Sequence, residues 1–166
     1  MSAHADHQGL RVTDMDRSIR FYADAFGAVQ LTRPFVLEGQ FAEAMMEGPP
    51  GVRFRLCHLR LGTGMIELFQ FLEPEHPSEP AHPSRVNVMH IALRVDDVDA
   101  AVERLLAAGG RLVFPITAWG GHRLTYAADP DGTIIELADA PLSVLLTGTL
   151  EQFPEARLDP EGTWHR

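Results

Sequence analysis

An internal duplication limits what this chain can fold into more than any other feature of its sequence. HQGLRVTDMDRSIRFYADAFGAV, beginning at His7, aligns without gaps with HIALRVDDVDAAVERLLAAGGRL, beginning at His90. His7, Leu10, Arg11, Val12, Asp14, Asp16 and Gly27 recur as His90, Leu93, Arg94, Val95, Asp97, Asp99 and Gly110. Unrelated segments of average composition share about one or two identities over such a stretch. The chain therefore has to build one supersecondary unit twice.

Each copy reads alike. Leu10 and Val12 alternate with His7, Gly9 and Arg11, as Ile91, Leu93 and Val95 alternate with His90, Ala92 and Arg94, which is the period of two of a half-buried strand. Asp14 or Asp16 then caps a helix carrying Ile19, Tyr22, Ala23 and Phe26, and Asp97 caps one carrying Val98, Val102, Leu105 and Leu106. Gly27 and Gly109-Gly110 end the two helices. Strands are predicted over 52–61 and 65–72, joined by Gly62-Thr63-Gly64, and over 111–116, 123–128 and 133–138, separated by Trp119-Gly120-Gly121 and the turn Asp129-Pro130-Asp131-Gly132. The predicted class is α+β, with two tandem βαβββ modules over 5–72 and 86–140. An insertion at 38–51 interrupts the first, a Pro-rich linker fills 73–85, and 141–166 form a tail.

Composition narrows the chemistry. The chain has 166 residues, enough to bury a substantial core, and its 14 basic residues are all Arg. Without Lys there is no Schiff-base amine, no pyridoxal-phosphate anchor, no phosphate-loop lysine and no Ser-Lys pair. The Arg-only set, with Asn87 the one asparagine, reads as codon bias. Cys57 is the one cysteine, so no internal disulfide forms. A net charge of -9 argues against nucleic acid and anionic membranes, and no apolar run is long enough to span a bilayer. The start MSAHADHQ lacks a basic then apolar export pattern, so a cytoplasmic location is expected. A small organic substrate or another protein remains as partner.

Both copies end in the same local text, Met65-Ile66-Glu67-Leu68 and Ile134-Ile135-Glu136-Leu137. On a strand, each Glu faces opposite to its apolar neighbours, so each copy puts one His and one Glu on the sheet face away from its helix. If the two sheets pair about a pseudo-two-fold axis, His7, Glu67, His90 and Glu136 converge. Such a nitrogen and oxygen set suits Zn, Ni, Co, Mn or Fe and disfavours a thiolate-loving metal. A single His or Glu on a strand is ordinarily just a polar surface group. Recurrence at equivalent places is what marks these four.

His7-x6-Asp14 with Phe21-Tyr22 and Phe26-Gly27, Ile66-Glu67-Leu68, His90-Ile91-Ala92-Leu93-x-Val95-x-Asp97, and Asp129-Pro130-Asp131-Gly132-x3-Glu136-Leu137 together resemble the vicinal oxygen chelate superfamily. That superfamily includes glyoxalase I, methylmalonyl-CoA epimerase, fosfomycin- and bleomycin-resistance proteins and extradiol dioxygenases. The resemblance covers about residues 5 to 140. It implies an incomplete β-barrel around a divalent metal, a small-molecule substrate with vicinal oxygens, and a homodimer. Fosfomycin-resistance transferases and extradiol dioxygenases use two His and one Glu, which leaves Glu67 surplus. Glyoxalase I and the epimerases add a fourth ligand where Glu67 stands. The resemblance thus favours a lyase or isomerase that removes a proton next to a chelated carbonyl, with Glu136 as base and Glu67 serving from the opposite face. Ring cleavage at Fe(II) and non-catalytic sequestration of a small molecule are the alternatives.

Other residues have smaller roles in this reading. Phe69 and Phe71 share strand parity with Glu67 and are expected to wall the pocket. Trp119, His122 and Arg123 sit in a loop that borders the site in this superfamily. Glu47 or Glu43 matches a non-ligand carboxylate of the epimerases, or else is a solvated loop acid. Phe35, Phe41, Met45 and Met46 form a lid or ordinary packing. Arg11 and Arg94 pair with acidic neighbours or bind an anionic group. His4 is an alternative to His7, but only His7 keeps the register of the repeat; His58, His76, His82 and His165 lack partners in it and are assigned to the surface, and Cys57 to the interior.

Overall fold

The computed structural model describes residues 6–75 and 90–157. The expected linker from residue 76 onward, His4, His76, His82 and His165 fall outside them. The first module contains β1 (His7–Arg11), α1 (Met15–Phe26), β2 (Val29–Gln30), β3 (Phe35–Leu37), α2 (Gln40–Met46), β4 (Arg53–Leu61) and β5 (Gly64–Glu73). The second contains β6 (Ile91–Arg94), α3 (Val98–Ala107), β7 (Arg111–Trp119), β8 (His122–Ala128) and β9 (Ile134–Ala138), followed by α4 (Leu142–Gln152). The strand orders are β1-β5-β4-β2, with β3 also on β4, and β6-β9-β8-β7. In each module the first strand runs parallel to the last and the others pair antiparallel, so the duplication seen in the sequence is a duplication of topology.

The helices begin where the sequence offers caps. Asp14 is extended, at φ -137, and its carboxylate accepts the Arg17 amide at 2.9 Å; Asp97 accepts the Ala100 amide at 3.0 Å. Gly27 ends α1 at φ 68, in the left-handed region where a side chain would be strained. The buried face of α1 is Met15, Ser18, Phe21, Tyr22 and Ala25, a stripe rotated from the one expected, with Ile19 and Phe26 at its margin. On α3, Leu106 turns outward and Ala101 takes the inner place.

One core serves both modules. Leu10, Phe21, Tyr22, Leu59 and Leu68 of the first join Ile91, Val98, Leu105, Ile135 and Leu137 of the second, each side chain worth about 1.5–3 kcal/mol when fully buried. The Asp129 to Gly132 turn adds a polar clamp. Its Asp131 pairs with the Arg17 guanidinium at 2.6 Å and accepts from the hydroxyls of Thr13 and Ser18. Asp129, 3% exposed, accepts the Tyr22 hydroxyl at 3.0 Å and the amides of Asp131 and Thr133 at 2.9 and 2.8 Å. Burial pushes the Asp129 carboxyl above the usual carboxylate range, and burial with the Asp129 charge holds Tyr22 well above the ordinary phenol range.

The opposite faces of the two sheets are each partly roofed. The expected insertion contains α2, whose Ala42 and Met46 pack with Val52, Phe54, Leu56, Phe69 and Phe71. The expected tail contains α4, whose Leu145 packs on Ala138 and Ala140 beside Trp119 and Leu124. The roof fits because Gly148 and Gly120 meet backbone to backbone: a Cβ on Gly148 would lie 2.5 Å from the Gly120 Cα. Among the described residues, no helix is long and apolar enough to cross a membrane. The sheets of the chain do not close into one barrel.

Candidate metal centre

Pairing register builds the site. Gly9 lies opposite Glu67 on β5, and Glu67 opposite His58 on β4, so His7, Glu67 and His58 project from the face away from α1. In the second module Ala92 lies opposite Glu136 on β9, and Glu136 opposite Tyr126 on β8. The His7 Nε2 atom stands 3.3 Å from one Glu67 oxygen, and the His90 Nε2 atom 3.0 Å from a Glu136 oxygen. The other Glu67 oxygen lies 3.1 Å from the His58 Nε2 atom. The four side chains singled out in the sequence therefore form two His–Glu pairs, one per module. They do not merge within one chain: among the described residues, no three His, Cys, Asp or Glu gather closely enough to hold a metal.

Each pair nonetheless has the form of half a metal site. Two ligand atoms each about 2.1 Å from a shared ion lie about 3.0 Å apart at a right angle and about 3.4 Å apart at a tetrahedral angle. The observed separations of 3.0 and 3.3 Å fall in that interval. The Nδ1 atom of His90 is buried and has no hydrogen-bond partner among the described residues, which leaves this imidazole short of a polar contact. The donor set, two imidazoles and two carboxylates, suits a divalent first-row ion.

The surroundings tune these groups. The hydrogen bond that His7 donates to Asp6, followed by the charge of Glu67, holds His7 above the ordinary imidazole value of 6.5. Burial, reinforced by the Glu136 charge, raises the Tyr126 phenol, whose ring meets His90 edge to face at 5.5 Å. Phe69 and Phe71 lie on the Glu67 face with Phe54, and the Arg11 guanidinium sits 5.6 Å over the Phe71 ring. A cleft of about 1130 Å³ runs between β1 and β6, bordered by His7, Ile66, Ile91, Arg94 and Arg104.

Several expectations from sequence are redirected. Arg123 shares parity with the buried Thr125 and Ala127, pairs with Asp99 of α3 at 2.8 Å, and so lies on the helix side of the sheet. Trp119 is occupied by α4, donating to the Thr149 hydroxyl at 3.2 Å and stacking on Phe153. His122 pairs with Asp139 at 3.1 Å. Glu47 is exposed at the end of α2 with φ 47, and Glu43 accepts the Gly51 amide at 2.7 Å, so neither reaches the His–Glu pairs. His58, assigned to the surface, instead holds Glu67. Its position matches that of Tyr126, so the repeat hid it by changing residue type rather than place.

A family model described as Glyoxalase/Bleomycin resistance protein/Dioxygenase superfamily matches residues 4–137. A 2-epi-5-epi-valiolone epimerase from Actinomyces sp is 32% identical, over 95% of this chain and 89% of that protein. A lactoylglutathione lyase from Pseudomonas aeruginosa is 30% identical, over 83% of each. Among solved structures, a glyoxalase family protein from Bacillus cereus superposes with a TM-score of 0.72 at 23% identity, covering 83% of this chain and 94% of that one. A fosfomycin resistance protein from Listeria monocytogenes shares the fold, with a TM-score of 0.61 at 18% identity over 87% of this chain and 99% of that one. By duplicated topology, by motif order and by these matches, the chain belongs to the glyoxalase, bleomycin resistance protein and dioxygenase superfamily.

Proposed function

We propose that this protein is a divalent-metal-dependent isomerase or lyase that moves a proton on a carbon next to a carbonyl. In this reading its centre is assembled from His7 and Glu67 of one protomer with His90 and Glu136 of a second. The observation that carries it is the pair of equivalent His–Glu half-sites, each partly exposed and, among the described residues of one chain, without a third metal-binding side chain. Apolar side chains that a second copy would cover lie beside them on the same faces: Phe35 and Met65, each 41% exposed, in the first module and Phe114, 46% exposed, in the second.

A bound divalent ion supplies Lewis-acid polarisation of the substrate's vicinal oxygens. The chain's own groups do the rest. His7 and His90 present Nε2 lone pairs, and the carboxylates balance charge. Glu136 accepts the proton from carbon, with the Tyr126 hydroxyl beside it; when configuration is inverted, Glu67 enters the turnover protonated on its His7-side oxygen, gives that proton from the other face and is left as the carboxylate. Phe69 and Phe71 wall an apolar end, and α2 limits water there.

The epimerase relative, matched over nearly the whole chain, favours isomerisation over lyase chemistry. Oxygen-dependent ring cleavage leaves Glu67 without a task, and sequestration leaves all four donors without one. Metal analysis of protein purified without chelator, combined with solvent-deuterium exchange into an α-hydroxy ketone, tests the proposal. Near-stoichiometric metal and exchange that falls about 10²- to 10⁴-fold in Glu136→Gln are expected. A metal-free protein, or oxygen consumption without exchange, would overturn it.

A further inference from the structure

Glu67 is held on both sides. While one of its oxygens faces His7, the other lies 3.1 Å from the Nε2 atom of His58. His58 is itself fixed. Its Nδ1 atom is 3.1 Å from the Thr32 hydroxyl oxygen, and that same oxygen accepts the His58 backbone amide at 3.0 Å. The ring also stacks on Phe35, with centroids 6.0 Å apart. Thr32 stands between β2 and β3, and β2 and β3 both pair with β4, so two short strands deliver the hydroxyl to this ring.

The hydrogen-bond inventory, with the carboxylate at the far end, favours one direction for the chain. A threonine hydroxyl has one proton to give and two lone pairs. Having accepted the backbone amide, the Thr32 oxygen has its own proton free for Nδ1. A neutral His58 then carries its proton on Nε2 and donates it to the facing Glu67 oxygen. The opposite tautomer would set an imidazole lone pair against a carboxylate oxygen. We infer that Thr32 and His58 form an outer-sphere device that locks Glu67 in place. One carboxylate oxygen is tied up by a donated N–H, and the other is left for the metal-binding edge shared with His7. The second module has no copy of this device, because Tyr126 stands where His58 does. The two carboxylates are therefore held by different groups, Glu67 by an imidazole anchored to a threonine and Glu136 beside a phenol. His58 is a positioning residue, acting through Glu67.

This inference rests on the proposed metal centre for its consequence but not for its geometry, so its test has two arms. In the metal-free protein, nitrogen-15 shifts of the His58 ring are expected to show the proton on Nε2, with that signature lost in Thr32→Val. In the second arm, cobalt(II) is titrated against a competing chelator. His58→Ala should weaken binding about 10- to 100-fold, the usual cost of losing an outer-sphere partner. His58→Gln, whose terminal amide can still donate to Glu67, should recover most of the loss, and circular dichroism should be unchanged in both variants. An Nδ1-protonated ring, or His58→Ala binding cobalt as wild type does, would overturn the inference. If wild type takes up no cobalt, the metal-centre reading fails, and the tautomer arm alone decides whether the Thr32–His58–Glu67 chain exists.

Discussion

Removing the Asp129 carboxylate should destabilise the contact between the two modules about as much as a large truncation in their shared apolar core. In Asp129→Ala the fully buried Tyr22 hydroxyl loses its acceptor, and the Asp131 and Thr133 amides lose theirs. Each stranded polar group costs about 1–3 kcal/mol when water cannot replace the partner, and the two amides lie in a turn where water can partly do so. A total of about 3–5 kcal/mol follows, which for a chain of this length lowers the melting temperature by about 6–20 °C. Asp129→Asn is the control. Its carbonyl oxygen still accepts both amides and its NH₂ can donate to the Tyr22 oxygen, so the loss should stay near 1 kcal/mol. The pH dependence has a definite sign. Burial raises the folded-state value of Asp129 above 3.8, so its contribution to stability is complete below the unfolded value and is lost as pH rises through the raised one. Asp129→Asn should therefore gain on wild type as pH climbs from about 4, with the difference flat once the carboxyl is ionised. Differential scanning calorimetry across that range provides the readout. Equal melting temperatures for the Ala and Asn variants would refute the clamp argument.

Two further predictions concern packing and the imidazole edge. Gly148→Ala places a methyl 2.5 Å from the Gly120 Cα, so α4 has to lift from the β7–β8 hairpin. Faster amide hydrogen exchange in α4 and increased Trp119 exposure by fluorescence are expected, and an unchanged α4 would contradict the contact. Asp6→Asn removes the main cause of the raised His7 value, so its proton NMR titration midpoint should move down toward 6.5. A midpoint that stays put would show that Glu67 rather than Asp6 sets it.

Strand parity made much of this site legible from the sequence. With a period of two, one apolar alternation fixes the face of every residue on a strand, which is why the sequence alone assigns His7, Glu67, Phe69, His90 and Glu136 to the non-helix face. The Asp14 and Asp97 caps were legible because their chemistry is local. The helix α2 was not: it starts at Gly39 with no side-chain cap, and its apolar residues pack on a sheet face far away in sequence. Arg123 follows its parity with Thr125 and Ala127 to the helix side, against the site-bordering place that the loop resemblance implies. His58 is hidden from residue identity across the duplication, because its counterpart opposite Glu136 is Tyr126. The separation of the four donors into two pairs depends on how the modules pack, which neither repeat nor parity encodes.

In the proposed centre two half-sites from different protomers share one metal, and subunit complementation distinguishes this from a site within one chain. A His7→Ala/Glu67→Gln chain and a His90→Ala/Glu136→Gln chain should each bind almost no divalent metal alone. Unfolded and refolded together in equal amounts, they yield mixed dimers in which one of the two sites has all four native donors. Metal content should return to about one quarter of the wild-type value per protomer, with proton-exchange activity in the same proportion. Mixed dimers that form but bind no metal would contradict the shared centre.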